Sequence, residues 1–155
     1  MTKPLVYPAA RISERTTLKM SPDTFIGDFV LVTSKKLTMK KGSQINAHSA
    51  VTGKLGVTLG RDSVVGYHCL IMTSTDTPKG EKMNDASPES RRAISNGDVV
   101  IGDDAFIGSH STIMPGVKVG DRAVIGAYSL VTKDVPAGKV GWGVPFKTRR
   151  SRNAH

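Results

Sequence analysis

The chain has 155 residues, of which 22 are Lys or Arg and 13 are Asp or Glu, so its formal charge is +9. This length suits one domain with a real core, and the single Cys excludes a disulfide framework and a Cys-based zinc site. A basic surface suits nucleic acid or a polyanionic small molecule; because no nucleic-acid motif accompanies it, we expect the second. We find no run of 18 apolar residues and no signal peptide, so we expect no membrane insertion and a cytoplasmic location.

The predicted elements begin with a lead-in over residues 1–24 and continue as a repeat from Phe25. In the lead-in, Ile12 and Leu18 stand six residues apart, and the prolines argue against a helix. In the repeat, one residue is inserted before Met39 and two before Leu59, and we predict bulged turns at these insertions. The aliphatic positions, which we predict to fill the core, are Ile26, Val32, Met39, Ile45, Val51, Leu59, Val65 and Ile71. The residues four places later, which are mostly small and predicted to point inward near a corner, include Val30, Ser43, Ser49, Ser63, Cys69 and Thr75.

The repeat is interrupted over residues 76–98, a polar stretch with two prolines and two glycines. This composition predicts a loop extruded at one corner of the fold. An insertion of this length in a regular scaffold is usually functional or disordered. An active-site role and a tolerated flexible insertion therefore both remain open.

The repeat is strictest over residues 99–136, where an aliphatic residue occupies every sixth position. Helices favour a period near 3.6 and ordinary strands a period of two, so neither explains a strict six. A six-residue repeat is the signature of a β-helix, in which each hexad is a short strand plus a turn and three hexads close one coil. We predict an all-β fold with no helix longer than two turns. Its aliphatic positions here are Ile101, Ile107, Ile113, Val119, Ile125 and Val131.

The register also places three histidines in one column. Positions eighteen repeat-residues apart stack on one face, and coils are separated by the strand spacing of about 4.8 Å. The fourth residues of the hexads on one face are Phe29, His48, His68, His110 and Tyr128. This column is either an outward ladder packed in a subunit interface or a row in which a histidine acts as a general base or ligates a metal. A neutral imidazole suits the role of base, because it accepts a proton near neutral pH.

The motifs IGDDAFIG, IMPGVKVG and VTKDVP, with the later Gly-Val-Pro, resemble the bacterial hexapeptide-repeat acyltransferases over roughly residues 12–146. The resemblance implies a left-handed parallel β-helix, a homotrimer and acyl transfer from acetyl-coenzyme A to a small-molecule acceptor. In this frame the chain is one domain, with a lead-in over 1–24, a β-helix over 25–136 with the extruded loop 76–98, and a closing segment and basic tail over 137–155. Maltose and galactoside acetyltransferases and the transferases of cell-surface polysaccharides are similar, so we expect a hydroxyl or amino group of a sugar or nucleotide-linked sugar as acceptor.

The resemblance also implies the candidate catalytic residues. In the maltose and galactoside acetyltransferases a catalytic His stands where this chain has Asp76, and Asn46 matches an Asn that the neighbouring subunit supplies. An exposed Asp is a poor base by itself, because its pKa is about 4. We therefore hypothesise that Asp76 of one chain and His48 or His68 of the next share the acceptor site, with the carboxylate stabilising the imidazolium. An amino-sugar acceptor would need less assistance from a base.

The last coils and the closing segment hold coenzyme A in the enzymes that the chain resembles. Phosphates favour Lys and Arg as binding partners. The basic residues near the C-terminus could instead form a solvated tail, and Trp142 could instead cap the exposed end of the core. By position, the residues expected to contact the cofactor are Ser109, His110, Ala127, Lys133, Trp142, Lys147 and Arg150.

Two other classes of function stay open. Some trimers of similar fold are zinc carbonic anhydrases with three His ligands, but the ligand spacing of that family is absent here, and we expect no metal. A scaffold without catalytic activity is the other class, because the usual His is missing at Asp76. Cys69 could suggest an acyl-enzyme, but its inward position in the hexad favours a core residue.

Overall fold

The computed structural model describes residues 1–153, which form short strands joined by tight turns; residues 154–155 of the predicted closing segment lie outside the described part. Within residues 1–153 the one helical element is a 3-10 turn at Glu89–Arg91, so the predicted all-β class is confirmed. The strands are β1 (Leu5–Val6), β2 (Arg11–Ile12), β3 (Thr17–Met20), β4 (Phe25–Ile26), β5 (Leu31–Val32), β6 (Lys36–Met39), β7 (Gln44–Ile45), β8 (Ala50–Thr52), β9 (Gly56–Leu59), β10 (Val64–Val65), β11 (Leu70–Met72), β12 (Ser74–Asp76), β13 (Ile94–Asn96), β14 (Val99–Ile101), β15 (Phe106–Ile107), β16 (Thr112–Ile113), β17 (Lys118–Val119), β18 (Val124–Ile125), β19 (Leu130–Val131), β20 (Lys139–Trp142) and β21 (Lys147–Ser151).

Most strands belong to three sheets, which are the three faces of one continuous coil. The first face has the order β1-β4-β7-β10-β15-β18-β20-β21, the second β2-β5-β8-β11-β16-β19 and the third β3-β6-β9-β14-β17. Successive strands lie on successive faces, so the chain passes round the faces in turn and returns to the first face one coil later. Pairing is parallel and joins equal hexad positions, as where Val65 lies between Ile45 and Ile107; only the terminal β20–β21 pair on these faces is antiparallel.

The core is a single column of aliphatic side chains along the inside of the coil. Every aliphatic position that the repeat predicts is at most 1% exposed, from Ile26 through Val131. The small inward positions are buried as well, and their hydroxyls are satisfied locally: the Ser49 hydroxyl donates to the Gly66 carbonyl at 2.8 Å. Thr75 is an exception to the prediction, because it lies half-buried outside the coil, and Thr73 is the buried threonine at this corner.

The inserted residues lengthen strands on the third face rather than forming the bulged turns that the sequence predicts. Strands β6 and β9 have four residues each, and Leu37 and Val57 become additional core residues beside Met39 and Leu59. The same register corrects the prediction that Leu18 continues the six-residue spacing from Ile12. Leu18 pairs with Leu37, and it is Met20 that pairs with the hexad position Met39. Ile12 pairs with Val32, as a hexad position should.

The excursion between the second and third faces has regular structure. Strands β12 and β13 pair antiparallel and form a stem that leaves the coil directly after Thr73. The segment beyond the stem contains the 3-10 turn, and Glu89 in that turn makes an ion pair with Lys54 of the previous coil. The insertion is therefore attached to the β-helix at its stem and through this ion pair.

Candidate functional site

An aromatic ladder runs along the corner between the first and second faces. It consists of Phe29, His48, His68, His110 and Tyr128, whose ring centroids are 4.6–4.9 Å apart and nearly parallel. Each of these residues has a φ between 54° and 63°, because the fourth residue of the hexad closes a tight corner in the left-handed region. The predicted column and its spacing are confirmed, although its chemical role is a separate question.

A second column lies beside the ladder at the third position of each hexad. It contains Asp28, Ala47, Tyr67, Ser109 and Ala127, in the order set by the sheet register of the first face. The coils are connected here by hydrogen bonds: the N–H groups of the four ladder residues after Phe29 donate to the carbonyls of this column one coil earlier, at 2.9–3.2 Å. We call this column the corner groove, because it runs beside the exposed rings for the length of the coil.

A cleft of about 240 Å³ opens at the N-terminal end of the corner groove. Tyr67 is 53% exposed, and Tyr7 and Phe25 meet edge to face at 6.0 Å between centroids. The Asn46 amide donates to the Val65 carbonyl at 2.9 Å. We call this cleft the aromatic cleft; its lining residues are Tyr7, Phe25, Gly27, Asp28, Asn46, Ala47 and Tyr67.

The predicted coenzyme A residues divide between two corners. Ser109, Ala127 and His110 lie along the corner groove and the ladder, and Trp142 follows on the first face, where its Cβ packs over Gly126. The Arg149 guanidinium lies over the Trp142 ring at 5.5 Å from its centroid, a cation–π contact that the sequence did not predict. Arg150 lies on the terminal strand β21 opposite Val140.

Lys133 lies at the corner between the second and third faces, and Lys147 lies on β21 opposite Trp142. They line a cleft of about 360 Å³ at the C-terminal end of the coil, together with Thr132, Asp134, Pro145, Phe146 and Thr148. The Asp134 carboxylate accepts a hydrogen bond from the Lys118 N–H at 2.8 Å. Two ammonium groups beside a cleft of this size form a suitable contact for a phosphate. Phe146 is a lining residue that the sequence did not reveal, because its place depends on how the closing segment crosses the coil.

Asp76 lies at the end of β12 in the excursion and is held by Arg92. The Arg92 guanidinium donates to both carboxylate oxygens, at 2.7 and 2.6 Å, and its Nη2 also donates to Asp85 at 2.7 Å. These hydrogen bonds lower the pKa of Asp76 and raise the pKa of Arg92. Since Asp76 is held as an anion, it is a weaker base than an ordinary carboxylate. Arg92, whose side chain is only 5% exposed, carries no periodic signal that the sequence could have revealed.

The candidate catalytic residues do not meet within one chain. Asn46, His48 and His68 lie at the corner between the first and second faces, whereas Asp76 leaves the corner between the second and third faces. The width of the second face separates the two groups. Any direct contact between Asp76 and a ladder histidine therefore requires a second copy of the chain.

Cys69 is 2% exposed and points into the core, as predicted, with its thiol near the Gly108 carbonyl at 3.3 Å. Burial raises the pKa of the Cys69 thiol, which disfavours the nucleophilic thiolate. Within residues 1–153 no cluster of His, Cys, Asp and Glu has the arrangement of a metal site. The three imidazoles are stacked face to face, with 4.8 Å between neighbouring centroids. Among these residues no helix is long and apolar enough to span a membrane.

Known proteins match the chain both in the repeat and in the fold. Residues 98–133 match the family described as bacterial transferase hexapeptide (six repeats). Chloramphenicol acetyltransferase of Agrobacterium fabrum is 57% identical over 36% of this chain, and galactoside O-acetyltransferase of Escherichia coli K12 is 51% identical over 36%. The bifunctional protein GlmU of Stenotrophomonas maltophilia is 32% identical over 92% of this chain. The alignments cover only 27–28% of the length of these relatives.

Among solved structures, a variant of AntD in which one serine is replaced by cysteine superposes on this chain with a TM-score of 0.83 at 22% identity. AntD is an N-acyltransferase from Bacillus cereus. The superposition covers 97% of this chain and 84% of AntD, which is in complex with dTDP-4-amino-4,6-dideoxyglucose and coenzyme A. At this identity the likeness concerns the fold, and the predicted left-handed parallel β-helix is confirmed. The predicted resemblance to the hexapeptide-repeat transferases is confirmed as well.

Proposed function

We propose that this chain, which carries the bacterial transferase hexapeptide repeats over residues 98–133, is a coenzyme A-dependent acyltransferase. The donor is acetyl-coenzyme A, and the acceptor is a hydroxyl or amino group of a sugar or nucleotide-linked sugar, in a cytoplasmic step of cell-surface polysaccharide synthesis. The observation that carries the proposal is the corner groove of Ser109 and Ala127 beside an imidazole ladder, in a repeat whose curated relatives include acetyltransferases.

The reaction is direct attack of the acceptor on the thioester carbonyl. A new C–O or C–N bond forms, the C–S bond breaks, and the sulfur leaves with coenzyme A. His48 or His68 takes the proton from the attacking group and returns it to the departing thiolate. Because Arg92 keeps Asp76 ionised, Asp76 acts as the group that stabilises the imidazolium, and a backbone N–H stabilises the oxyanion.

The shared site implies an oligomer, and the proposal is a homotrimer. Exposed apolar side chains surround the ladder corner: Phe29 is 61% exposed and Tyr128 67%, and Leu31 and Phe106 flank them. Burial of this surface against further copies would remove it from water. The same contact can bring the excursion of one chain, with Asp76, toward Asn46 and His48 of the next, as the sequence analysis hypothesised.

The cofactor is proposed to bind along the same interface. Ser109, His110, Ala127 and Trp142 of one chain line the corner, and Lys133 and Lys147 of another contribute the cleft that suits phosphates. Arg150 on β21 adds a further positive charge near the C-terminal end. Residues from two copies are proposed because Lys133 lies on a different corner from the column of Ser109 and Ala127, although Lys147 stands opposite Trp142 within the same chain.

Isothermal titration with acetyl-coenzyme A, after exhaustive chelation, tests the proposal. Micromolar binding at one site per chain, with no stoichiometric zinc in the untreated sample, is the expected result. The absence of binding together with one zinc per chain would overturn it in favour of a hydratase. If the protein binds no acetyl-coenzyme A and contains no zinc, the result would indicate a scaffold without this chemistry.

The catalytic assignment is tested by His48→Ala and Asp76→Ala, assayed for transfer with a panel of sugars and amino sugars. We expect a deep loss of turnover with the oligomer intact. Asp62→Ala is the matched control, because Asp62 is an exposed corner residue with a φ of 55° on another corner. Turnover at the wild-type rate in both site variants would refute the assignment.

A further inference from the structure

The aromatic cleft combines ring faces with hydrogen-bonding groups and lacks positive charge. Tyr7 and Tyr67 are exposed rings, and Phe25 supports Tyr7 edge to face. No Lys or Arg is among the residues that line the cleft, although the chain as a whole carries a charge of +9. This composition suits a neutral or cationic polar ring rather than a phosphate.

The polar groups of the cleft have unused hydrogen-bonding capacity. Asp28 accepts one bond through its Oδ1, from the Ala9 N–H at 3.0 Å, and no residue of the 1–153 range donates to its Oδ2. The Asn46 Nδ2 donates to the Val65 carbonyl, so its Oδ1 is oriented away from that bond as an acceptor. A carboxylate and an amide oxygen side by side at an aromatic wall are acceptors for hydroxyl or amino hydrogens.

The position of the cleft connects it to the proposed donor path. Asp28, Ala47 and Tyr67 occupy the same column as Ser109 and Ala127, the corner groove, at successively more N-terminal coils. A donor arm that lies along Ala127 and Ser109 points its reactive end toward Tyr67. His48 and His68 are the next residues in the chain after Ala47 and Tyr67.

We propose that the aromatic cleft is the acceptor subsite and takes a sugar ring without phosphate, with an amino sugar preferred. The ring stacks on Tyr67 and Tyr7, and Asp28 and Asn46 accept hydrogen bonds from its hydroxyl and amino groups. The carboxylate of Asp28 gives the amino group its advantage, since the groups that line the cleft carry no compensating positive charge. This subsite rests on the proposed acyltransferase function for its role as acceptor, but its binding of sugars does not depend on catalysis.

Saturation-transfer NMR with glucosamine, glucose and glucose 6-phosphate tests the subsite without any donor. We expect transfer to glucosamine and glucose, with glucosamine bound most tightly and glucose 6-phosphate most weakly. Tyr67→Ala should weaken glucosamine at least about tenfold, whereas Tyr67→Phe, which keeps the ring, should stay within about threefold. Asp28→Asn keeps an oxygen for the Ala9 N–H and should weaken glucosamine more than glucose.

Val100→Ala is the control, because Val100 is an exposed apolar residue of the third face, outside the cleft and away from the ladder corner. No transfer to any sugar, preference for glucose 6-phosphate, or equal binding in wild type, Tyr67→Ala and Asp28→Asn would overturn the subsite. Titration of the same variants with acetyl-coenzyme A separates the two proposals. If the donor binds and sugars do not, the subsite alone fails; if sugars bind and the donor does not, the acyltransferase proposal fails and the sugar site stands.

Discussion

Substitution of His68 in the middle of the aromatic ladder separates two energies that act in opposite directions. The His68 ring stacks on His48 and His110 at 4.8 Å each, and an aromatic pair contributes about 0.5–1 kcal/mol, so the two contacts contribute about 1–2 kcal/mol. The backbone at His68 has a φ of 54°, which costs a residue with a Cβ about 1 kcal/mol relative to Gly.

These magnitudes predict an order of stability for three variants. His68→Ala loses the stacking and keeps the backbone cost, so it should be less stable than wild type by about 1–2 kcal/mol, or about 2–8 °C in melting temperature. His68→Gly loses the same stacking but relieves the backbone, so it should be about 1 kcal/mol more stable than His68→Ala. His68→Asn should lie between them, because Asn tolerates the left-handed region better than Ala.

Thermal and urea unfolding in mildly alkaline buffer, where free imidazole is neutral, measures this order. The size of the oligomer is recorded for each variant, so that a change in assembly is not counted as a change in stacking. A His68→Gly variant no more stable than His68→Ala would refute the role of the left-handed backbone. An Ala variant as stable as wild type would show that the stacked rings contribute nothing.

Three further predictions concern the core, the thiol and the excursion. Ile107→Ala should destabilise the fold by about 2–5 kcal/mol in urea unfolding, and Ile12→Ala, half-buried near the end of the coil, by clearly less; equal losses would contradict the packing described. Because the Cys69 thiol is buried and its pKa is raised, Ellman's reagent should label it at least about a hundredfold faster in urea than in the native protein, and rapid native labelling would contradict its inward position. Arg92→Ala should speed hydrogen exchange in the β13 amides at neutral pH, whereas unchanged exchange would show that the ion pair with Asp76 does not hold the stem. Because the pKa of Asp76 is lowered, this ion pair should stabilise the wild-type stem above the ordinary carboxyl pKa of about 4. The stabilisation should be lost only as the pH falls through the lowered pKa of Asp76.

The parts of the fold that repeat could be predicted from the sequence, because one period determines both the core and the corners. Counting in sixes identifies Ile107 as buried and places His68 above His48, since both follow from the same register. The insertions could not be resolved in this way: Leu37 and Val57 lie outside the period, yet a longer strand turns them inward.

The site could be predicted only where it lies on the repeat. Ser109 and Ala127 follow from the register, whereas the aromatic cleft requires Tyr7 of the lead-in to pack against Phe25 on the next coil of the first face. Arg92 lies in the aperiodic excursion, and its ion pair with Asp76 depends on the pairing of β12 with β13. No local pattern encodes contacts of this kind, because they join segments whose relative position is set by the rest of the fold.

The separation of His48 and Asp76 on different corners makes a prediction that a single-chain site cannot share. If each site takes His48 from one copy and Asp76 from the next, His48→Ala and Asp76→Ala chains complement each other. In randomly mixed oligomers, an interface is intact when the Asp76→Ala chain supplies the histidine and the His48→Ala chain supplies the carboxylate. Each choice has a chance of about one half, so about a quarter of the wild-type activity should return.

The measurement is turnover after the two inactive variants are unfolded together at equal concentration and refolded. Each variant refolded alone is the control. Wild-type chains refolded with an equal amount of the His48→Ala, Asp76→Ala double variant should keep about a quarter of the activity if the site is shared and about a half if it lies within one chain. Activity no higher than the sum of the two single refolded variants would refute the shared site. It would place the base and the carboxylate in separate roles, because one chain holds the aromatic ladder and the excursion apart by the width of the second face.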